Sequence, residues 1–410
     1  MILTVQQNRT IQELLKIIKD SSFGYHTLFS TTVGGYAGTG KTTIICELRK
    51  RLEKLRSISV AFVTFTGKAS SVLRNKLSHN NALYKNDYCG TIHGLIYQPE
   101  TRWDVKLKTF VVTGWKRKDK DELSYTQLII IDEASMVSQK TWKDLLSYKI
   151  PIIAFGDHGQ LPPIGDEFGF HLMKDPEFVL TEIHRQALNS PIIKLSKFVR
   201  EEGYIPFGFY SKEVFKLNWK HQICQQLWNG VNFTDNNLQI LCGFNTTRAN
   251  LNDLIRQKLC YTEKAPYPDE KIVCLANNHT INIMNGQIGK VMWVMPDDNA
   301  YRITVDIDND VYECFVSDKC FGEVQYTIYD QSIQSKQARE EAWNKGFARL
   351  DYFDYGYVMS VHKSQGSEWD KIILFEQRTK RWSDEYYAKW LYTAITRARS
   401  KLFIISDAWI

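Results

Sequence analysis

A chain of 410 residues, at roughly 150 residues per domain, has room for two or three domains with substantial cores. With 43% hydrophobic and 24% charged residues, it is neither a disordered polymer nor a disulfide mini-scaffold. Its 52 basic and 46 acidic residues leave a net charge of +6, which excludes a histone-like basic arm and is too weak alone to demonstrate a nucleic-acid partner.

No run approaches the ~18 apolar residues of a membrane span. The start, MILTVQQNRT, lacks the charged region, apolar stretch and cleavage site of a signal peptide. A cytoplasmic protein without a membrane partner is expected. The eight cysteines are scattered with no CxxC pair, which fits a reducing compartment and argues against zinc.

In chain order, Ile11, Leu14, Leu15 and Ile18 follow helical spacing. Leu28–Val33 reads as a strand, and Thr42–Leu55 as a helix with Ile44, Ile45, Leu48, Leu52 and Leu55 on one side. Its Arg49, Lys50, Arg51 and Lys54 read as a solvated face. Val60–Phe65, Leu128–Ile131, Ile150–Phe155, Leu238–Phe244, Lys371–Phe375 and Leu402–Ile405 are further short apolar runs. Their alternation with helices predicts an α/β fold with parallel sheets. Residues 96–126 break this rhythm and read as an inserted β-hairpin. Residues 266–335 read as an inserted antiparallel β-domain, with turn signals at 296–299 and 308–310. Trp293 and Tyr312 are expected in its core.

Two segments carry phosphate chemistry. Gly35-Tyr-Ala-Gly38-Thr39-Gly40-Lys41-Thr42 fits GxxxxGK[ST] between a strand and a helix. Its glycines let backbone amides converge on phosphates, and the helix N-terminus adds partial positive charge. Lys41 can reach the β/γ-phosphates of ATP, and Thr42 can ligate Mg²⁺. Thr43 continues the phosphate-binding turn. The apolar strand Leu128–Ile131 then ends in Asp132-Glu133. Asp132 would hold Mg²⁺, and Glu133 would orient or deprotonate the attacking water.

Further segments follow in a set order. They are Phe155-Gly-Asp-His-Gly-Gln160-Leu-Pro-Pro163, Leu180-Thr-Glu-Ile-His-Arg185-Gln186, Val361-His362-Lys363-Ser364-Gln-Gly366-Ser-Glu368 and Tyr392-Thr-Ala-Ile-Thr-Arg397-Ala-Arg399. This set resembles superfamily 1 helicases of the 5′-to-3′ class, that of Dda, RecD and the PIF-type enzymes. The resemblance implies two RecA-like motor domains. The first would span 1–200, with 96–126 as a strand-separating pin. The second would span 201–265 and 346–410, with an SH3-like β subdomain at 266–345.

For the site, the resemblance implies that Gln160 senses the γ-phosphate, and that Arg185 and Arg397 are arginine fingers at a cleft between the motor domains. Arg399 reads as an ordinary ion-pair partner. Gly366 would approach phosphate and Glu368 the ribose. Leu3-Thr4-Val5-Gln6-Gln7 resembles the family's adenine-reading LTxxQ, with Gln7 as the reader, yet Thr4-x-x-Gln7 is also a helix capping box. Tyr36 stands where many members have proline. Thr66, Gly67, Lys68, Thr91, His93, Asn245, His362, Lys363 and Ser364 resemble single-strand contacts, with Arg248 as a further candidate. Local capping is the competing role for such residues. Trp103, Phe110 and Trp115 are the pin aromatics, which could stack on a base pair or pack the hairpin.

The expected function is ATP-dependent unwinding of duplex or fork DNA by 5′-to-3′ translocation on single-stranded DNA. An RNA helicase and a non-motor ATP-gated DNA-binding subunit are the alternatives. A monomer working with replication or recombination proteins is expected. The compact length and the many Lys, Asn, Ile and Tyr residues point to a phage-infected or bacterial cell.

Overall fold

The computed structural model describes residues 3–22, 29–104, 109–163, 170–183, 189–278, 281, 283–297, 300–325 and 350–407. The chain divides into two compact units, Met1–Lys194 and Leu195–Ile410. No helix among the described residues is long and apolar enough to cross a membrane.

The first unit runs α1 (Val5–Ser22), β1 (Ser30–Gly35), α2 (Lys41–Leu55), β2 (Val60–Thr64), α3 (Gly67–His79), β3 (Tyr88–Thr91), α4 (Ile92–Ile96), β4 (Tyr97–Asp104), β5 (Thr109–Arg117), β6 (Leu128–Ile131), α5 (Gln139–Leu146), β7 (Ile152–Gly156) and β8 (Phe178–Leu180). Six strands form a parallel sheet in the order β3-β2-β6-β7-β1-β8. Strands β2, β6 and β7 are buried along their whole length, as unbroken apolar runs between two helical layers must be. Alternate residues serve opposite faces. Val60, Phe62 and Ile130 pack with Leu14, Ile44 and Leu48, whereas Ala61, Val63, Ile129 and Ile131 pack with Ile92, Leu95 and Leu145.

Arg49 departs from the expected solvated face. It is 1% exposed and gives its guanidinium to Asp87 (2.9 Å) and Glu53 (2.8 Å). A bidentate carboxylate partner 38 residues away makes this burial tolerable.

Strands β4 and β5 form the separate antiparallel hairpin expected in 96–126. Its root is clamped to the first unit. The Tyr148 hydroxyl bonds the carbonyls of Ile96 (2.9 Å) and Lys118 (2.8 Å), Arg117 reaches Ser147 (2.9 Å), and the Tyr97 hydroxyl donates to Asp144.

The second unit continues with α6 (Pro191–Glu202), which begins just before the division, then β9 (Gly208–Ser211), β10 (Val214–Asn218), α7 (Gln222–Gly230), β11 (Leu238–Cys242) and α8 (Asn245–Lys258). Next come β12 (Lys271–Cys274), β13 (Ile288–Asp297), β14 (Ala300–Ile307), β15 (Asp310–Ser317) and β16 (Phe353–Tyr355). Strands β17 (Val358–Ser360) and β18 (Trp369–Phe375), helix α9 (Asp384–Ile395) and β19 (Ala398–Ser406) complete it. One sheet has the order β17-β11-β18-β19-β10-β9 and is parallel except at the β9 edge. The other is antiparallel, β15-β14-β13-β12-β16, so its last strand follows position 345. Both sheets share one core, in which Ile240, Ile255 and Phe375 cluster with Ile272, Val291, Ile303 and Tyr355.

Trp293 corrects a core expectation. It is 49% exposed, beside exposed Met292 and Met295. The register of β13 slips between Val291 and Trp293, so an extra residue turns the indole outward. Tyr312 does pack against the core.

Candidate nucleotide and nucleic-acid sites

Strand β1 leads into the Gly35–Thr43 loop, whose shape depends on two glycines. Gly38 and Gly40 adopt φ of 82° and 79°, values that side chains disfavour. Thr39 pins the turn by donating its hydroxyl to the Tyr36 carbonyl (2.8 Å). The amides of Gly38, Gly40, Lys41 and Thr42 find no acceptor among the described residues, at the start of a 15-residue helix. Such a nest of donors is a ready anion cradle. Lys41 Nζ bends back over it to the Gly35 carbonyl (2.6 Å), where an incoming phosphate could exchange for the carbonyl.

Three motifs stand at the C-terminal ends of the adjacent strands β6, β7 and β1. Thr42 Oγ1 lies 3.4 Å from Asp132 Oδ2. Burial raises the Asp132 carboxyl above its ordinary range, while nearby Lys41 and Lys76 pull it down. A buried carboxylate beside a hydroxyl is a hard-oxygen pair that fits Mg²⁺. Glu133 follows in the left-handed region (φ 56°), and its amide donates to Asp132 Oδ1 (3.0 Å). A non-glycine residue held there is the kind of local strain that clusters at functional sites.

After β7, buried Asp157 accepts from the Gly159 amide (2.9 Å) and faces the Gln160 amide nitrogen at 3.4 Å. Gln160 is 3% exposed, and its Oε1 has no hydrogen-bond partner among the described residues. A buried amide oxygen left this way is suited to a water or another donor delivered with the ligand. Tyr36 and His158 bring their rings to 4.1 Å, joining the phosphate loop to the Gln160 loop. Sequence reasoning noted Tyr36 and did not foresee this contact. Arg185 lies outside the described residues.

Gln7 makes both bonds of the capping box. Its amide N–H donates to Thr4 Oγ1 (3.2 Å), and its Oε1 accepts from the Thr4 amide (3.0 Å). Its Nε2 donates to the Thr39 carbonyl in the phosphate loop (2.8 Å). Gln7 is 1% exposed, so in this structure it braces the loop from behind. The neighbouring Gln6, which the sequence offers as a competing register for the LTxxQ match, takes a role not foreseen there. It accepts from the amides of Thr181 and Glu182 and donates to the Val179 carbonyl, tying α1 to the segment that precedes Arg185.

Thr66 follows β2, and Thr91 ends the paired strand β3. Each caps a helix, accepting from Ala69 N (3.2 Å) and Gly94 N (3.0 Å) respectively. Capping uses a lone pair and leaves the hydroxyl proton free to donate, so capping and phosphate contact are compatible. Gly67 is buried, Lys68 is half-buried and His93 is exposed. Trp115 is 50% exposed near the hairpin root. Trp103 and Phe110 oppose each other in register, and their side chains lie outside the described set.

In the second unit several motif residues turn inward. Ser364 is fully buried, and its hydroxyl donates to the Val361 carbonyl (2.7 Å). His362 Nε2 meets the Tyr386 hydroxyl at 2.8 Å, and burial holds its pKa below the usual value. Lys363 is half-buried, and desolvation lowers its ammonium to about 8. Asn245 is exposed at the start of α8. Arg248 is not a surface group: it is 4% exposed and forms an ion pair with Asp354. Gly366 adopts φ 74°. Arg397 is 3% exposed, and its fork meets the Thr393 carbonyl (3.0 Å), the Ser367 carbonyl (3.1 Å) and the Thr396 hydroxyl (3.1 Å). It therefore sits against the loop that carries Gly366 and Glu368. Arg399 is exposed and pairs with Glu368 at 3.3 Å.

A phosphate cradle, an acid pair and an amide on neighbouring strands define a P-loop nucleotide-binding unit, here joined to a second RecA-like unit. Residues 24–212 match the AAA domain model, and residues 355–405 match the UvrD-like helicase C-terminal domain. The chain is 23% identical to the ATP-dependent DNA helicase dda of Enterobacteria phage T4, over 98% of this chain and 99% of that protein. It is also 23% identical to the ATP-dependent RecD2 DNA helicase of Deinococcus radiodurans, over 91% of this chain and 46% of that protein. An uncharacterised Methanocaldococcus jannaschii protein matches at 24% identity, over 91% of this chain and 36% of that protein. The chain thus spans less than half the length of these last two relatives. A crystal structure of a Bacteroides Pif1 helicase in complex with ADP-AlF3 and ssDNA shares the fold, with a TM-score of 0.54 and 20% identity over 100% of this chain and 93% of that one. The chain belongs to the superfamily 1 helicases, in the class of Pif1, RecD and Dda.

Proposed function

We infer that this protein is an ATP-driven motor that translocates on single-stranded DNA in the 5′-to-3′ direction and unwinds duplex or fork DNA. The observation that carries the reading is the convergence of the open amide nest, Lys41, the Thr42–Asp132 pair and Gln160 at the ends of β1, β6 and β7. Direction and DNA substrate rest on the likeness to the Dda, RecD2 and Pif1 helicases.

In this reading Gly38, Thr39, Gly40, Lys41, Thr42 and Thr43 hold the triphosphate. The Thr42 hydroxyl and Asp132 carboxylate would hold Mg²⁺, which when bound neutralises phosphate charge. Glu133 orients water, with Gln160 Oε1 as a second acceptor for it. Arg185 and Arg397 supply transition-state charge, Gly366 and Glu368 contact nucleotide, and Gln7 keeps the loop in shape or reads adenine. Thr66, Gly67, Lys68, Thr91, His93, Asn245, His362 and Lys363 grip the strand, with Ser364 holding the turn that presents them. The hairpin with Trp103, Phe110 and Trp115 splits the duplex. One copy of the chain carries all these groups, so we propose a monomer that serves replication or recombination proteins.

Strand displacement on 5′-tailed and 3′-tailed forks tests the reading. ATP-dependent unwinding of the 5′-tailed fork is expected, and unwinding of the 3′-tailed fork alone would overturn it. Lys41→Ala should lower DNA-stimulated ATPase by at least about a hundredfold, by analogy with loss of one preorganised donor. Stronger stimulation by RNA than by single-stranded DNA would transfer the motor to RNA.

A further inference from the structure

In the parallel sheet of the second unit, β17, β11 and β18 are neighbours. The loops after them are therefore neighbours too. The first carries His362, the second Asn245, and the third is the segment 376–383, EQRTKRWS, which no motif claimed. Open α/β sheets bind ligands at this carboxyl edge.

The third loop is tied to the other two by aromatic rings. Trp382 packs against Phe244 (5.4 Å between centroids), Tyr386 (5.2 Å) and Trp390 (5.6 Å), and Tyr386 carries the bond to His362. Trp390 is fully buried, whereas Trp382, Phe244 and Tyr386 remain half-buried. A backbone bond from Trp382 N to the Thr379 carbonyl (3.1 Å) closes the turn, and Gln377 fastens it to Gly243 N (2.8 Å) and Thr247 (2.7 Å). The platform is thus held rigidly.

Its charge is positive. Glu376 is engaged inward by Lys216 and Tyr387, and Arg378 is paired with Asp384. Glu385 is paired with Lys389. Lys380 and Arg381 are exposed and carry no ion pair among the described residues. An anchored half-exposed indole beside two unpaired cations is the combination that binds single strands without reading sequence.

We propose that the 376–383 loop is an additional single-strand subsite, where Trp382 stacks a base and Lys380 and Arg381 contact flanking phosphates. The subsite deepens the reading above, in which single-stranded DNA is the track. It would hold the strand next to His362 and Asn245.

Equilibrium binding of the full chain to a fluorescent oligodeoxythymidine tests it. Trp382→Ala should weaken binding roughly 5- to 150-fold, the range for losing one base stack, and Trp382→Phe should restore most of it. The Lys380→Ala/Arg381→Ala double variant should reduce the salt slope, log K against log salt, by about 1.4, because each single-strand phosphate contact contributes about 0.7. Both replaced side chains are exposed, so the double variant should melt like wild type and report on binding alone. Wild-type affinity and salt slope in both Trp382→Ala and the double variant would overturn the subsite while leaving the motor intact. Failure of the wild-type chain to bind the oligonucleotide would instead remove the track assignment itself.

Discussion

In the first unit, the phosphate-loop amides, Lys41 and Gln160 Oε1 present atoms with spare hydrogen-bonding capacity at the ends of adjacent strands. In the second, Ser364 and Arg397 are engaged by nearby backbone and hydroxyl oxygens, and Arg248 is locked to Asp354. The contrast has a physical cause. A phosphate site needs unsatisfied donors, which a strand-to-helix turn near solvent tolerates. The second unit must instead weld a parallel and an antiparallel sheet around one core, and buried polar groups there have to be paired. Motif residues of the second unit therefore serve packing as well as any ligand.

Arg248→Ala is the severest test of this contrast. Removing one partner of a buried ion pair leaves Asp354 uncompensated, so a loss of about 3–5 kcal/mol in unfolding free energy is expected by denaturant titration. Unchanged stability with lost DNA binding would return Arg248 to the surface-contact role read from the sequence. Lys363 gives a smaller effect. Burial lowers its pKa to about 8, so its charge is present below that pH and lost above it. If it grips phosphate, affinity for single-stranded DNA should fall as pH rises from 7 to 9. Lys363→Arg should flatten that profile, and a wild-type profile in the variant would exclude Lys363 from the contact. Tyr148→Phe should have the mildest outcome. It removes the hydroxyl shared by Ile96 and Lys118 at the hairpin root, at a cost of about 1 kcal/mol. Fork unwinding should slow while DNA-stimulated ATPase is retained, and equal loss of both activities would mean that the hairpin is not a separate functional element.

Most of the parallel strands were legible because they carry nearly unbroken apolar runs. Leu128–Ile131 and Lys371–Phe375 fall on β6 and β18. The short strands β3, β8 and β17 were not read, since three or four residues carry no period of their own, and β10 was missed because Lys216 interrupts its apolar run. The Gly35–Thr42 loop and the Asp132-Glu133 pair were legible because their chemistry fixes both residue type and spacing. The two roles open for Gln7 could not be separated in one dimension. The structure engages its amide in the cap and at Thr39, and the structure also brings in Gln6.

The sequence by itself determined the α/β alternation, the phosphate loop and the family, because local backbone geometry and ordered motifs are written within a few residues. Only the tertiary structure decided which charges are buried. Arg49 finds Asp87 38 residues away and Arg248 finds Asp354 106 residues away, and no local pattern anticipates such partners. It likewise turned Trp293 outward through one extra residue in β13, and it linked Trp382 to His362 through Tyr386. Burial and pairing depend on what folds against a residue, and that is settled by sheet order and register.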